Sequence, residues 1–187
     1  MFQLVEAGKV FDHLTNMKAP KPKNERQRIK ILWQYDVLDT VPEAAFDELA
    51  ELASVICGTP VALITLVDED RQWFKSKVGI SISETSRDVS MCAHAILQKK
   101  LFIVPDATKD RRFKDNPLVT ASPKIRFYAG MPLVAAGGHA LGTICVVDQK
   151  PRTLTAGQQE ALRVLARHTM TLLELRRQAR VPIKVAH

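Results

Sequence analysis

Residues 61–67 form an unbroken run of aliphatic and β-branched side chains, and this run is the feature that most constrains the fold. Alternate side chains of a β-strand point to opposite faces of its sheet, so a strand built from this run is apolar on both faces. Residues 144–147 repeat the pattern. An antiparallel sheet with two apolar faces must be covered on both sides. The sequence therefore predicts a sheet that lies between two layers of other structure.

Four stretches have the composition of further strands: residues 72–78, 101–104, 125–135 and 141–147. The stretch from Phe127 to Val147 contains no Asp, Glu, Lys or Arg and is long enough to span a bilayer. However, Pro132 and the glycine pair Gly137 and Gly138 would break a membrane-spanning helix, and a glycine pair suits the turn of a hairpin. We therefore interpret this stretch as two buried strands and expect no association with membranes.

Helices are indicated on either side of the strands. Thr40 and Glu43 have the spacing of a capping box, which predicts the start of a helix that ends at Gly58. Shorter helices are predicted at residues 25–35, at residues 91–98 behind a capping Ser90, and around residues 110–113.

The final helix, predicted to open at Thr155 and Gln158 and to run to about Arg177, has an apolar stripe wider than one face. We expect it to pack against the helix that holds residues 29–33 and, in a homodimer, against its symmetry mate. The alternative is a monomer in which both helices are buried against the sheet.

Composition favours an ordinary globular protein. The chain has 187 residues, of which 46% are apolar and 25% are charged. A chain of this size buries enough surface to fold without disulfides or metals. The three cysteines, Cys57, Cys92 and Cys145, are odd in number and lack paired spacing, which argues against a disulfide framework and against a zinc site. Because the N-terminus has no signal-peptide pattern, we expect a cytoplasmic protein.

We divide the chain into an N-terminal helical extension with a Pro/Lys linker (1–24), a domain with its flanking helices (25–177) and a basic tail (178–187). The net charge is +7, and basic residues cluster in the linker and the tail, where there are few aromatic residues. Nucleic-acid binding would need base-reading or stacking side chains beside that charge, so no nucleic-acid partner is expected. Between the strands, residues 80–122 are short and irregular segments that must cover one face of the sheet. Such a cover is where a small-molecule cavity is expected.

The order and spacing of several motifs resemble those of bacterial GAF domains. The motifs include VALITLVDEDRQWF at residues 61–74, CAHAI at 92–96, RFYAGMPL at 126–133 and GTICVVD at 142–148. The resemblance extends over about residues 26–175. It implies a GAF-like (profilin-like) α+β fold, in which a central antiparallel sheet of five to six strands is flanked by helices and encloses a ligand-sized cavity.

The resemblance also implies a regulatory role, as a standalone sensor module of the type that is fused to histidine kinases and diguanylate cyclases. GAF modules commonly pair through their terminal helices, which supports the homodimer. Nothing after residue 177 is long enough to be an output domain, so we expect the domain to act on a partner signalling protein in trans or to have been excised from a larger one.

Three specialised activities of GAF domains lack their chemical groups here. Phytochrome-like members attach a bilin through a Cys directly followed by His, whereas Ala93 separates Cys92 from His94. The Asn-Lys…Phe…Asp-Glu signature of cyclic-nucleotide-binding members is incomplete in residues 108–116. Members that reduce free methionine sulfoxide use a loop cysteine, and residues 101–125 contain none. The resemblance therefore assigns no cofactor and leaves the ligand open.

Seven residues are candidates for contact with a ligand: Cys92, His94, Arg112, Phe113, Asn116, Arg126 and Tyr128. An arginine fork, an aromatic ring and an amide that meet in one cavity would suit a planar anionic ligand. The alternative, which we favour, is structural: Arg126 pairs with Asp106 or Asp115 and pins the loop, while Phe113 and Tyr128 belong to the core.

Three classes of function compete. The first, which we favour, is a non-catalytic sensor or regulatory module. The second is a small thiol-dependent enzyme, resembling methionine sulfoxide reductase, that uses Cys92. Cys92 and His94 are two positions apart on a helix and so cannot face each other, which argues against catalysis. The third is a nucleic-acid binder. No metal ligand set is predicted, because neither His94 nor the cysteines have partners at ligand spacing.

Overall fold

The computed structural model describes residues 18–179. The apolar pattern of residues 2–14, predicted to be helical, and most of the basic tail lie outside the described residues. The strands are β1 (Val61–Val67), β2 (Arg71–Val78), β3 (Glu84–Ser86), β4 (Phe102–Val104), β5 (Phe127–Val134) and β6 (Ala140–Asp148). The helices are α1 (Glu25–Gln34), α2 (Ala44–Cys57), α3 (Met91–Ala95), α4 (Pro117–Thr120) and α5 (Ala156–Ala179).

The six strands form one antiparallel sheet in the order β3-β2-β1-β6-β5-β4. The strand with two apolar faces, β1, lies inside the sheet between β2 and β6, and six of its seven residues are buried. The predicted hairpin of β5 and β6 is present, and the turn between the strands contains Gly137 and Gly138, both at positive φ. The predicted α+β fold with a central antiparallel sheet is confirmed.

Each face of the sheet carries its own hydrophobic core. Ile64 and Leu66 of β1 point to the face that is covered by the long helices α2 and α5, together with α1. Leu63 and Val67 point to the other face, which is covered by short segments that we call the roof (residues 79–100 and 105–125). The alternation of side chains along one strand thus feeds two separate cores, as the sequence predicts.

The Thr40–Glu43 pair does not form the predicted capping box. Helix α2 begins at Ala44, and its N-terminal residue Glu43 makes no side-chain capping hydrogen bond. The Thr40 hydroxyl instead donates to the Val37 carbonyl oxygen at 2.7 Å. The Glu43 carboxylate accepts from the buried ammonium group of Lys75 at 2.5 Å, so a tertiary ion pair replaces the local cap.

Two roof helices differ from prediction. The short helix expected around residues 110–113 is a single turn, in which the Lys114 amide donates to the Asp110 carbonyl oxygen at 2.9 Å. The helix of this segment is α4, where the Asn116 side chain accepts from the Leu118 amide at 2.9 Å and caps the helix. Ser90 caps α3 as predicted, but the helix ends at Ala95 instead of residue 98. The short polar strand β3 was not predicted, because three residues at the edge of a sheet carry no periodic signal.

Helix α5 opens with the predicted capping box, in which Thr155 and Gln158 exchange hydrogen bonds of 3.0 and 3.2 Å. However, α5 packs mainly against α2 and β5. Its contact with α1 is smaller: Leu32 belongs to the same core as Leu173, and the Tyr35 hydroxyl, directly after α1, donates to Glu174. Trp33 is half exposed, and its indole N–H donates to Asp68 at 3.1 Å.

A buried ion-pair cluster fastens α1 to the sheet and to the roof. Glu25 accepts hydrogen bonds from Arg28, at 2.8 and 2.9 Å, and from Arg87. Arg28 is 1% exposed and Arg87 is 4% exposed, so neither guanidinium group has ready access to water. Burial alone would raise the pKa of Glu25, but the hydrogen bonds from the two arginines outweigh it and lower the pKa from 4.5 to about 2.

The substitution Glu25→Gln should destabilise the protein at neutral pH by about 1–3 kcal/mol, because it leaves two buried guanidinium groups without their anion. A carboxylate with a lowered pKa stabilises the fold above its unfolded pKa, and this contribution is lost as the pH falls through the folded value. The difference between wild type and variant should therefore shrink as the pH falls from about 4.5 towards about 2. Urea unfolding across this range measures it. Glu51→Gln, at an exposed position of α2, is the matched control; a pH-independent difference would contradict the assignment.

Candidate ligand cavity

A cavity of about 290 Å³ lies between the sheet and the roof. Its floor comes from four strands, because the side chains that point to the roof face of the sheet meet there. The floor residues include Leu63 of β1, Phe74 of β2, Tyr128 of β5, and Cys145 and Val147 of β6. Small-molecule sites typically have volumes of roughly 300–1,000 Å³, so this cavity is at the lower end of the range.

The neighbouring residues of β2 illustrate how alternation builds the floor. Phe74 lines the cavity, whereas Trp73 packs into the core on the helical face. This agrees with the expectation from strand geometry that at most one of the two aromatic residues can face a cavity.

The roof side of the cavity is made by three segments. Ile80 and Ile82 come from the connection between β2 and β3 and Thr85 from β3 itself, Met91 comes from α3, and Leu118 comes from α4. Ile82 is 52% exposed, and Pro123 and Gln149 at the rim are exposed as well, so the cavity reaches the protein surface.

Few polar groups interrupt the apolar lining. The Ser90 hydroxyl donates to the side-chain oxygen of Gln72, which ties α3 to β2. Asp148 is already paired with Arg152. The Thr85 hydroxyl is buried and, among the described residues, has no hydrogen-bond partner. The cavity therefore suits a small and mainly apolar molecule with one or two groups that can hydrogen-bond.

Two thiols and a phenol meet at the bottom of the cavity. The Tyr128 hydroxyl donates to Cys92 Sγ at 3.2 Å, and Cys92 Sγ lies 3.8 Å from Cys145 Sγ. Burial alone would raise the pKa of Cys92, but hydrogen bonds from Cys145, Thr143, Thr65 and Tyr128 act in the other direction and lower it. The hydrogen bond with Cys92, together with burial, raises the pKa of Cys145 well above its ordinary value. Ionisation of the pair is thus centred on Cys92.

Comparison with known proteins identifies the family. The model of the GAF domain matches residues 41–173. The chain belongs to the GAF domain family. A cyclic di-GMP phosphodiesterase of Pseudomonas aeruginosa is 43% identical over 143 residues, which make up 76% of this chain. The match covers 24% of the length of that protein, so the chain spans a minor part of the curated relative that it matches.

Solved structures confirm the fold of this GAF domain. The GAF domain of an Acinetobacter phosphoenolpyruvate-protein phosphotransferase has a TM-score of 0.58 at 14% identity, over 84% of this chain and 98% of that one. The free methionine-R-sulfoxide reductase of Neisseria meningitidis has a TM-score of 0.57 at 19% identity, over 82% of this chain and 90% of that one. At these identities the likeness shows the fold alone.

Two of the seven predicted ligand residues, Cys92 and Tyr128, line the cavity of the GAF domain. His94 and Phe113 lie beside it in the roof core, with their rings edge to face and their centroids 4.8 Å apart. Arg112 lies on the outside of that core, where it pairs with Asp110 at 2.6 Å.

The other two predicted residues, Asn116 and Arg126, hold the roof together. Besides capping α4, the Asn116 side chain donates to the Val89 carbonyl oxygen at 2.9 Å. Arg126 donates to the carbonyl oxygens of Val119 and Ile125 at 2.9 and 3.0 Å. Arg126 thus pins the loop, as the structural alternative expected, through backbone carbonyl oxygens, whereas the predicted partner Asp106 pairs with Lys109 at 3.4 Å. Of the predicted arginines, aromatic rings and amide, Tyr128 lines the cavity, whereas Arg112, Phe113, Asn116 and Arg126 do not.

Three polar residues of the cavity lining, Cys145, Gln72 and Ser90, were not predicted as site residues from the sequence. Cys145 pairs with Cys92 across 53 positions of the chain, which no local spacing could reveal. Gln72 and Ser90 are likewise brought together by tertiary contacts. The available signal was alternation: Cys145 sits between Ile144 and Val146, so it had to face the opposite side of the sheet from them.

Gly130 sets the position of the Tyr128 ring. A Cβ atom at residue 130 would lie 2.1 Å from the Tyr128 hydroxyl oxygen and 2.7 Å from the ring carbon that bears it. We expect Gly130→Ala to cost about 1–3 kcal/mol of unfolding free energy, because the buried ring has to move. In a Tyr128→Phe background the nearest clashing atom is gone, so the cost should fall by about 0.5 kcal/mol or more. A double-mutant cycle in urea measures both values; strictly additive effects would contradict this account.

Proposed function

We propose that this GAF domain is a non-catalytic sensor module that binds a small, mainly apolar molecule in the cavity and regulates a partner signalling protein, such as a histidine kinase or a cyclase. The observation that carries the proposal is the cavity between the sheet and the roof, which reaches the surface and contains few polar groups. Membership of the GAF family fits a signalling sensor. Among the described residues, no helix is long and apolar enough to cross a bilayer.

The size of the cavity narrows the class of ligand. The P. aeruginosa relative is named for cyclic di-GMP, a molecule with two purine rings and two phosphates. A cavity of about 290 Å³ with an apolar lining suits a molecule of about one or two rings without a formal charge. We therefore propose a small aromatic or aliphatic metabolite as the ligand. Its first polar contact is the Thr85 hydroxyl, and Cys92, Tyr128, Gln72 and Ser90, which bond to one another in pairs, are the further polar groups of the lining.

A physical route connects the cavity to α5. Phe74 lines the cavity, and the next residue, Lys75, points to the opposite face of the sheet. Its ammonium group is buried and bonds to the Val41 carbonyl oxygen at 2.8 Å and to Glu43 at 2.5 Å. Glu43 also accepts from Arg176 on α5 at 2.8 Å. A ligand that displaces Phe74 would thus move a strand that is tied to the C-terminal helix.

The thiol-enzyme alternative depends on Cys92 alone. It predicts a turnover that is lost in Cys92→Ser, whereas the sensor proposal predicts ligand binding without turnover.

The cavity can be tested with 2-naphthol, an uncharged probe with two fused aromatic rings and one hydroxyl group, whose binding is measured by isothermal titration calorimetry. We expect saturable binding to the full chain that is weakened about tenfold or more by Val147→Phe, because the larger ring occupies the cavity. Val134→Phe, at an exposed position of β5, is the matched control and should bind like wild type. Equal binding by both variants, or no binding to wild type, would overturn the proposed site. Native mass spectrometry of freshly purified protein then searches for a retained ligand.

We also propose that the domain forms a homodimer through its terminal helices. Each terminal helix has a large apolar side chain that is half exposed: Trp33 on α1 and Leu175 on α5. Exposed apolar side chains on helices are candidates for burial against a second copy. The substitution Leu175→Glu should raise the dimer dissociation constant about tenfold or more in sedimentation experiments. Val134→Glu is the control on the sheet. A monomeric wild-type protein, or an unaffected Leu175→Glu dimer, would contradict this interface.

A further inference from the structure

We propose that Cys92 and Cys145 are a redox-active dithiol that small peroxides convert to an intramolecular disulfide inside the cavity. The two sulfur atoms are 3.8 Å apart, which is van der Waals contact, while a disulfide bond is about 2.05 Å long. The reaction requires no ligand, and so it stands apart from the proposed sensing function.

The two cysteines reside on different layers of the fold. Cys92 lies in α3, on the roof, and Cys145 lies on β6, in the floor of the cavity. A bond between them would join the roof covalently to the centre of the sheet. Oxidation would therefore change both the lining of the cavity and the freedom of the roof to move.

Access and reactivity both follow from the position of the pair. Each cysteine is at most 2% exposed, but both line the cavity, which opens to the surface beside exposed residues such as Ile82. A small peroxide can enter along this path. Cys92 is the residue that should react first, because the Tyr128 hydroxyl donates a hydrogen bond to its sulfur atom and stabilises the thiolate.

The chemistry balances in two steps. In the first step the Cys92 thiolate attacks one oxygen of the peroxide; an S–O bond forms, the O–O bond breaks, and the leaving oxygen takes a proton, which gives a sulfenic acid and water or an alcohol. In the second step Cys145 sulfur attacks Cys92 sulfur; the S–S bond forms, the S–OH bond breaks, and hydroxide leaves as water with the proton of Cys145. The two thiols lose two electrons and the peroxide gains them.

The remaining cysteine supplies the matched control. Cys57 lies at the end of α2 in the core on the opposite face of the sheet, where burial raises its pKa to about 11. It is as buried as Cys92 but has neither the cavity nor a neighbouring thiol among the described residues. Reactivity that is due to a buried thiol in general would appear at Cys57, while reactivity that is due to the pair would not.

The test treats the reduced, full-length chain with a small excess of hydrogen peroxide and follows its intact mass and its tryptic map without reductant. We expect the loss of two hydrogen atoms, a Cys92–Cys145 cross-linked peptide, and reversal by dithiothreitol. Cys57→Ser should behave like wild type. The Cys145→Ser variant should gain an oxygen atom at Cys92 instead of losing hydrogen. The Cys92→Ser variant should consume peroxide at least about tenfold more slowly than wild type.

Two further measurements show whether each variant is folded and whether the disulfide depends on the folded structure. Thermal unfolding of each reduced variant shows whether it has folded, and the same reaction in denaturant shows whether the native arrangement favours the bond. The proposal is overturned if the folded protein loses no hydrogen, if the cross-link includes Cys57 or a second chain, or if the disulfide forms only in denaturant. Tyr128→Phe should slow the first step; an unchanged rate would remove Tyr128 from the mechanism.

Discussion

The central pair of strands, β1 and β6, must exclude water from both of its faces, and the rest of the structure depends on this constraint. Ile64, Leu66 and Ile144 need a cover on one side, and Leu63 and Cys145 need a cover on the other. A strand that is apolar on both faces has no stable place at the surface of a protein. The two covers, however, differ in structure: long helices cover one face, and short segments cover the other. The cavity results from this difference.

Long helices and short segments cover a sheet with different results. Helices α2 and α5 have continuous apolar stripes and pack closely against their face of the sheet. The roof is built from short helices and turns, whose backbone groups need hydrogen-bond partners that a purely apolar layer cannot supply. Asn116 and Arg126 supply those partners from side chains, and Arg87 ties the roof to the carbonyl oxygen of Asp68 in the turn between β1 and β2. Because these hydrogen bonds, and not close packing against the sheet, set the position of the roof, space for a small molecule remains between the roof and the sheet.

The sequence predicted the features that depend on local patterns, and its predictions were wrong where contacts between distant residues determine the structure. The two-sided sheet, the β5–β6 hairpin and the Thr155–Gln158 cap follow from the local pattern, and the structure contains them. The Thr40–Glu43 cap had the same local pattern, yet Lys75 from a distant strand takes the Glu43 carboxylate. A charged pair across 32 positions is stronger than a single capping hydrogen bond, and no window of sequence contains both partners.

Contacts between distant residues also explain why most of the predicted ligand residues do not line the cavity. Arg112, Arg126 and Asn116 have functional groups that are typical of ligand binding, but each is needed to satisfy the backbone of the roof or a neighbouring carboxylate. Cys145 lies in an apolar strand and has no spacing motif that marks it as a site residue. It becomes a candidate only because Cys92 of the roof lies 3.8 Å from its sulfur atom. Composition identifies polar groups that could bind a ligand; the accounting of buried hydrogen bonds determines which of them are free to do so.

Strand β2 contacts both layers. Phe74 and Lys75 are adjacent in sequence and point to opposite faces, so one contacts the cavity and the other anchors Glu43 and, through it, Arg176 of α5. A strand cannot move one of these side chains without moving the other, because both are fixed to the same short piece of backbone. In the proposed sensor, a ligand that displaces Phe74 would displace Lys75 as well, and the displacement would reach α5 through Glu43, which pairs with both Lys75 and Arg176. Packing contacts between α5 and its neighbours have no preferred direction, whereas the ion pair of Arg176 with Glu43 holds the end of α5 in one position.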